Sequence, residues 1–345
     1  MSKKTYYFVT GNTAGGFVNY LSSNLNNIDQ IIIVKHPSAT LKANIINRLI
    51  QTFQTTYDLE ILCSTLGNDY VDGVIIRDKQ TAVVTDRLAA ADMPGAIVID
   101  LEWFLQEEKK PLSENFIAIN QSVQKAYDQF EMGLNIHDDL EQIYIHQMDF
   151  SRADELADDL IEKLLIGVPR KERTPHVFRR LFGTNTLDGA VNFVSHLITP
   201  LTYRYYLKGR AGTGKSVFMK KVAEACMNHG LDIELYHCSF DPNSVDMVLV
   251  RDLDFCIFDS TAPHEKNPDR RDDVVIDLYE EAVAPGTDET YADEIQRTTS
   301  AYKAHMTKGM KYLKDAGRLL RGIERNYKYI DRDVERMKDF ILQHV

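Results

Sequence analysis

The residues Gly209-Arg210-Ala211-Gly212-Thr213-Gly214-Lys215-Ser216 fit the pattern GxxxxGK[ST] in full. The chemistry this pattern serves is the holding of phosphate. Glycines let the backbone curl so that successive N–H groups point inward at phosphate oxygens, in conformations a Cβ obstructs. A helix that follows directs its positive end at the same anion. Lys215 is expected to reach the β- and γ-phosphates, and the Ser216 hydroxyl to ligate Mg²⁺. The expected contacts of a triphosphate are Gly209, Arg210, Ala211, Gly212, Thr213, Gly214, Lys215, Ser216 and Val217, and the expected ligands are ATP and Mg²⁺.

A second element of such a site is a carboxylate at the end of an apolar strand. Phe255-Cys256-Ile257-Phe258-Asp259 has that form, and the carboxyl ends of strands are where α/β sheets bind ligands. Asp259 is therefore the expected metal carboxylate. The alternative is a turn cap, because Ser260-Thr261 follows. Glu265 and His264 come next and could orient a water or accept a proton, or be polar rim residues. The run Asp269-Arg270-Arg271-Asp272-Asp273 offers Arg270 as a group that could stabilise a transferring phosphoryl, or is a solvated surface loop. His237 and Cys238 have no partners at metal-ligand spacing, so no zinc is assigned.

The elements that must position these residues are legible because the chain is written twice. The run Asn12-Thr13-Ala14-Gly15-Gly16-Phe17-Val18-Asn19-Tyr20 aligns with Asn185-Thr186-Leu187-Asp188-Gly189-Ala190-Val191-Asn192-Phe193. The offset, 185 − 12 = 173, carries Ile31–Val34 onto Arg204–Leu207 and Lys42 onto Lys215. One residue of slippage near Tyr57 moves it to 174, so that Asp58 meets Asp232 and Val71-Asp72-Gly73-Val74 meets Val245-Asp246-Met247-Val248.

In the second copy Tyr203–Leu207, Asp232–His237 and Phe255–Phe258 read as strands. Ser216–His229 reads as a helix stopped by Gly230. Strands alternating with helices imply a parallel sheet. Long helical stretches follow in both copies, over Ser122–Leu165 and Tyr291–His344, where Gly and Pro become scarce. Leu140-Glu141-Gln142-Ile143-Tyr144 and Ile323-Glu324-Arg325-Asn326-Tyr327 resemble each other within them. Gly167–Pro175 is the expected linker. The fold class is thus α/β: tandem duplicated parallel-sheet domains of P-loop NTPase type, residues 1–168 and 175–345, each followed by a long helical segment.

The first copy is degenerate where the second carries its chemistry. His36-Pro37-Ser38-Ala39-Thr40-Leu41-Lys42-Ala43 keeps the lysine, but His36, Ala39 and Leu41 replace the three glycines and Ala43 removes the hydroxyl. Thr85 stands where Asp259 does, with Asp86 beside it. This half is expected to keep the fold without the nucleotide.

Bulk properties narrow the class. The formal net charge of −11 disfavours nucleic acid as a partner. Cys63, Cys226, Cys238 and Cys256 form no regular framework and read as reduced thiols of a cytoplasmic protein. The N-terminal run is too short for a signal-peptide core, and no stretch approaches the roughly 18 apolar residues of a spanning helix.

Leu207–Met219, Tyr236–Asp246, Phe258–Glu265 and Ala284–Glu289 together resemble a bacterial family of duplicated P-loop proteins. These are found mostly in Firmicutes and labelled ATPase, ATP-binding protein or nucleotide-kinase-like. The resemblance spans the chain, is closest in the second half, and implies architecture rather than a reaction. Both halves of that family often carry readable P-loops, and here only the second does. Three functions follow as expectations. One is slow ATP hydrolysis coupled to a rearrangement or to a protein partner on the helical segments. Another is transfer of the γ-phosphoryl to a small acceptor. The last is a nucleotide-binding scaffold. No Glu follows Asp259 directly and no NKxD sequence occurs, so neither a motor-type signature nor guanine specificity is supported.

Overall fold

The computed structural model describes residues 2–89, 93–105, 113–262 and 264–345. The first half runs β1 (Lys4–Tyr7), β2 (Thr10–Thr13), β3 (Gly16–Asn19), α1 (Leu21–Asn24), β4 (Gln30–Lys35) and α2 (Ala39–Phe53). It continues through β5 (Leu59–Cys63), β6 (Val71–Ile76), β7 (Thr81–Thr85), β8 (Ala96–Asp100), α3 (Ser113–Ile145) and α4 (Phe150–Leu165). The second half repeats the order with β9 (Val177–Leu181), β10 (Gly183–Asn185), β11 (Ala190–Asn192), α5 (Val194–Ile198), β12 (Tyr203–Lys208) and α6 (Lys215–Asn228). Then come β13 (Ile233–His237), β14 (Val245–Val250), β15 (Phe255–Asp259), β16 (Val274–Asp277), α7 (Leu278–Ala282), α8 (Thr287–Thr290), α9 (Ala292–Glu324) and α10 (Asp331–Leu342).

Two six-stranded sheets result, ordered β1-β5-β6-β7-β4-β8 and β9-β13-β14-β15-β12-β16. Strand for strand these are the same sheet, so the chain holds a duplicated α/β arrangement. The sheets are mixed rather than parallel as expected. β6 and β14 each run antiparallel to both neighbours. The cause lies in the connections. A short 3₁₀ turn, Arg77–Lys79 in one half and Arg251–Leu253 in the other, is all that joins these strands to the next. A parallel return needs a crossover of a dozen residues or more.

Alternation along the central strands builds four layers. In β4, Ile33 faces a core shared by the two sheets, where it joins Tyr206, Tyr236 and Phe258. Ile32 and Val34 face the opposite way, toward α2. Such strands, buried on both faces, appear in sequence as continuous apolar runs.

Each expected helical segment is two helices. The first breaks between Ile145 and Phe150, where Asp149 caps the new helix by accepting from the Arg152 N–H at 3.0 Å. The second breaks between Glu324 and Asp331. The paired helices cross over. α4 supplies Ala157 and Leu160 to the core beneath α6, while α10 supplies Val334, Met337 and Ile341 to the core beneath α2. The ion pairs repeat as well: Lys221 of α6 meets Asp154 and Asp158 of α4, and Arg48 of α2 meets Asp331 and Glu335 of α10. α3 and α9 run antiparallel against each other, with the Phe130 ring seated on Gly309. Each half therefore finishes the other's core. Arg180 locks the centre, bonding to Glu234 at 2.7 Å, Glu60 at 3.3 Å and Asn24 at 3.0 Å while lying 3.6 Å over the Tyr7 ring. Burial opposes ionisation of Glu234, yet Arg180 and Arg251 hold its carboxyl down at about 2.

Candidate functional site

The loop Gly209–Ser216 leaves the carboxyl end of β12 and enters α6 at Lys215. Gly212 and Gly214 have φ of +74° and +77°, a region that side-chain-bearing residues avoid. Gly214 is the N-cap and gives α6 no side-chain acceptor. The first-turn N–H groups of α6 thus begin without the oxygen that Ser, Thr or Asp would supply.

The first half is built otherwise. Its helix α2 starts at Ala39, the repeat equivalent of Gly212, so the positions aligned with the second loop are already helical. Ser38 caps it, accepting from Leu41 N–H at 3.1 Å. Lys42 is nearly buried and paired with Asp86. A carboxylate from α9 completes this end: Glu324 accepts from Ser38 Oγ at 2.6 Å, from Ala39 N–H at 2.8 Å and from Thr40 N–H at 3.2 Å.

In the second half three of the expected residues come together. The Lys215 side chain, 13% exposed, stands with Nζ 3.9 Å from Asp259 Oδ2 and donates to the Arg210 carbonyl at 2.6 Å. Asp259 ends β15, beside β12, and accepts from Thr261 N–H at 2.9 Å and from the Thr261 hydroxyl. Ser216 Oγ accepts the Val245 N–H at 2.9 Å, which ties the start of α6 to the start of β14. Arg210 pairs with Asp288 at 2.9 Å over the Tyr279 ring, and Asp288 also accepts from the Tyr144 hydroxyl at 2.9 Å. The loop is thereby anchored to α8 and α3.

His264 and Glu265 lie on the strand-end rim, and Pro263 beside them is outside the described residues. His264 packs edge-on to Phe182, and burial holds its pKa down. Glu265 is exposed and paired with Lys208 at 3.4 Å. Arg270 is not brought to the loop. It donates to the carbonyls of Leu201 at 2.7 Å and Thr199 at 2.5 Å, before the amino end of β12 and so across the sheet from Lys215. Its charged run serves structure: Asp273 and Asp269 both bind the buried Arg204, and Asp273 is held at about 2, Arg204 outweighing the burial that opposes it.

One further carboxylate near Asp259 lies outside the motif. Asp246 of β14 precedes Met247, whose register partner is Phe258 beside Asp259, and its carboxyl feels the Asp259 charge. Burial, and then the Asp259 charge, raise its carboxyl to about 7. Its repeat equivalent, Asp72, is neutralised by Arg87 at 2.8 Å. The position aligned with Arg87 is Thr261, so the second half keeps the carboxylate and loses the cation. The retained Asp in the repeat alignment was the available signal. Among the described residues no group of three His, Cys, Asp or Glu side chains is placed to hold a metal ion, and the oxygens that could meet a magnesium ion beside Lys215 are those of Ser216 and Asp259.

Among the described residues no helix is long and apolar enough to cross a membrane. Compared with known proteins, the chain matches no family model, no curated sequence and no solved structure.

Proposed function

We propose that the second half binds ATP with Mg²⁺ and hydrolyses it slowly, coupling occupancy to the contacts between the two halves. The observation that carries this reading is a glycine-curled loop between a central strand and an uncapped helix, with Lys215 beside a strand-ending carboxylate. The amides of Gly212–Val217 and the Lys215 ammonium would meet the phosphates, and Ser216 with Asp259 would hold the metal. A bound Mg²⁺ would offset charge building on the phosphate oxygens. The Asp246 carboxyl, raised by burial and by the Asp259 charge, would accept the proton of the attacking water. In the balanced step, water oxygen bonds to the γ-phosphorus and the bond to the β-bridging oxygen breaks. The electron pair leaves with ADP and the water proton passes to Asp246.

Phosphoryl transfer to a small acceptor draws its support from Arg270 and Arg271, and the bonds of Arg270 to Leu201 and Thr199 withdraw the first of these. One assay separates the readings. The protein is incubated with ATP·Mg²⁺ and a panel of nucleosides and nucleotides, following phosphate release and labelled products. Phosphate without a new labelled product is the expected result. A labelled acceptor identifies a phosphotransferase, and binding without either leaves a scaffold.

A further inference from the structure

Helix α3 belongs to the first half, yet its carboxyl-terminal part lies on the loop of the second. A Cβ added to Gly212 would collide with the Glu141 carbonyl oxygen, so α3 touches the loop at the residue with least bulk. The Glu141 carboxyl is pushed up by burial and by Asp138, while the Lys215 charge and the Gly212 N–H pull it down. The Glu141 main chain thus lies against Gly212, and its carboxyl lies within the electrostatic reach of Lys215. His137, one turn earlier on α3, is 3.6 Å from Glu141 and also feels Lys215.

The first half shows the same arrangement completed. Glu324 is the repeat counterpart of Glu141 in the matching pieces Ile323–Tyr327 and Leu140–Tyr144. It comes from the opposite half's long helix and fills the amino end of α2 through three hydrogen bonds. A carboxylate held by helix-start amides is the chemical stand-in for a phosphate group. In the first half the stand-in is permanent, because α2 extends to Ala39 and Ser38 caps it. In the second half the glycines leave the amides for a competitor with more charge.

We infer that Glu141 occupies the phosphate seat of the second half, and that a triphosphate enters by displacing it together with the end of α3. The inference rests on the nucleotide reading. It makes α3 a lever: α3 lies antiparallel on α9, so occupancy of the second half shifts a helix pair drawn from both halves. Once a triphosphate is seated, the acidic groups on this face of α3 add to the displacement. Asp138 of α3 is raised by burial and by Asp241, so this face of α3 is already crowded with negative charge. A triphosphate that takes over the Lys215 and Gly212 contacts repels it outward.

The test uses the full chain, Mg²⁺ and the ATP analogue with an imido β–γ bridge. Calorimetry compares the wild type with Glu141→Ala, Glu141→Gln and Lys215→Ala, and hydrogen exchange follows peptides covering 136–145. Removing one charge-assisted competitor is expected to tighten binding about tenfold in Glu141→Ala. Glu141→Gln, which keeps the shape, is expected to fall between, and Lys215→Ala to lose binding. In the wild type the analogue is expected to speed exchange in 136–145. Binding in the Glu141 variants alone also supports the plug. Equal affinity in all three Glu141 forms, with unchanged exchange in α3, overturns the displacement and leaves the nucleotide reading standing. No binding by any form, with the fold intact by circular dichroism, overturns the nucleotide reading itself.

Discussion

Asn12 and Asn185 exchange hydrogen bonds, each side-chain amide reaching the main-chain oxygen of the other, at 2.6 and 3.1 Å. They stand 173 positions apart, the offset of the repeat, so the axis relating the halves passes between them. Reciprocal contact of equivalent residues is the signature of a two-fold interface, here within one chain.

Both residues are buried, so loss of one side chain takes the amide donor from the other's main-chain oxygen. Asn12→Ala also removes the acceptor of the Tyr127 hydroxyl. The variant is expected to lose about 1–3 kcal/mol of stability, read from the denaturant midpoint. A change within error would show that water replaces these bonds freely.

Lys215→Ala is expected to weaken ATP binding at least about tenfold, while leaving the thermal midpoint near the wild-type value. Lys215 contributes a hydrogen bond to a loop carbonyl rather than to a core. Titration calorimetry checks the affinity, and an unchanged value removes the phosphate assignment.

Asp259→Asn separates the metal from the phosphates. Binding in the presence of Mg²⁺ is expected to fall more than binding in its absence. If the magnesium dependence stays as in the wild type, Asp259 is the cap of the Thr261 turn and no more.

Asp246 ties stability to pH with a definite sign. Its carboxyl lies at about 7 in the folded chain against an ordinary 3.8. The folded state therefore binds the extra proton between those values, and this group's destabilising contribution grows as pH rises through that window. Asp246→Asn is expected to gain most over the wild type above pH 7 and least below pH 4. Denaturant midpoints across that range check it, and parallel pH curves for the two proteins exclude the coupling.

One nucleotide per chain is the expected stoichiometry. α2 already begins at Ala39, and Glu324 satisfies the amides that a phosphate would need. A structure with an ATP analogue that showed a second triphosphate against Val34–Ala43 would reverse this.

The residue pattern alone determined the repeat, the central strands and the place of the loop. Apolar runs such as Ile31–Val34 and a constant offset report burial and period, which are local properties. Glycines at 212 and 214 announced a backbone that only they adopt without strain, and both have positive φ. Tertiary structure alone decided pairing. Strand periodicity is the same in either direction, so β6 and β14 gave no sign of running antiparallel. The charged helical stretches gave none of breaking and crossing to the opposite core. Arg270 is tied to Leu201 and Thr199, while Glu141 and Glu324 are carried to loops in the other half. Those destinations depend on which surfaces meet across more than a hundred residues, and a one-dimensional pattern records a residue's own burial without naming the partner that covers it.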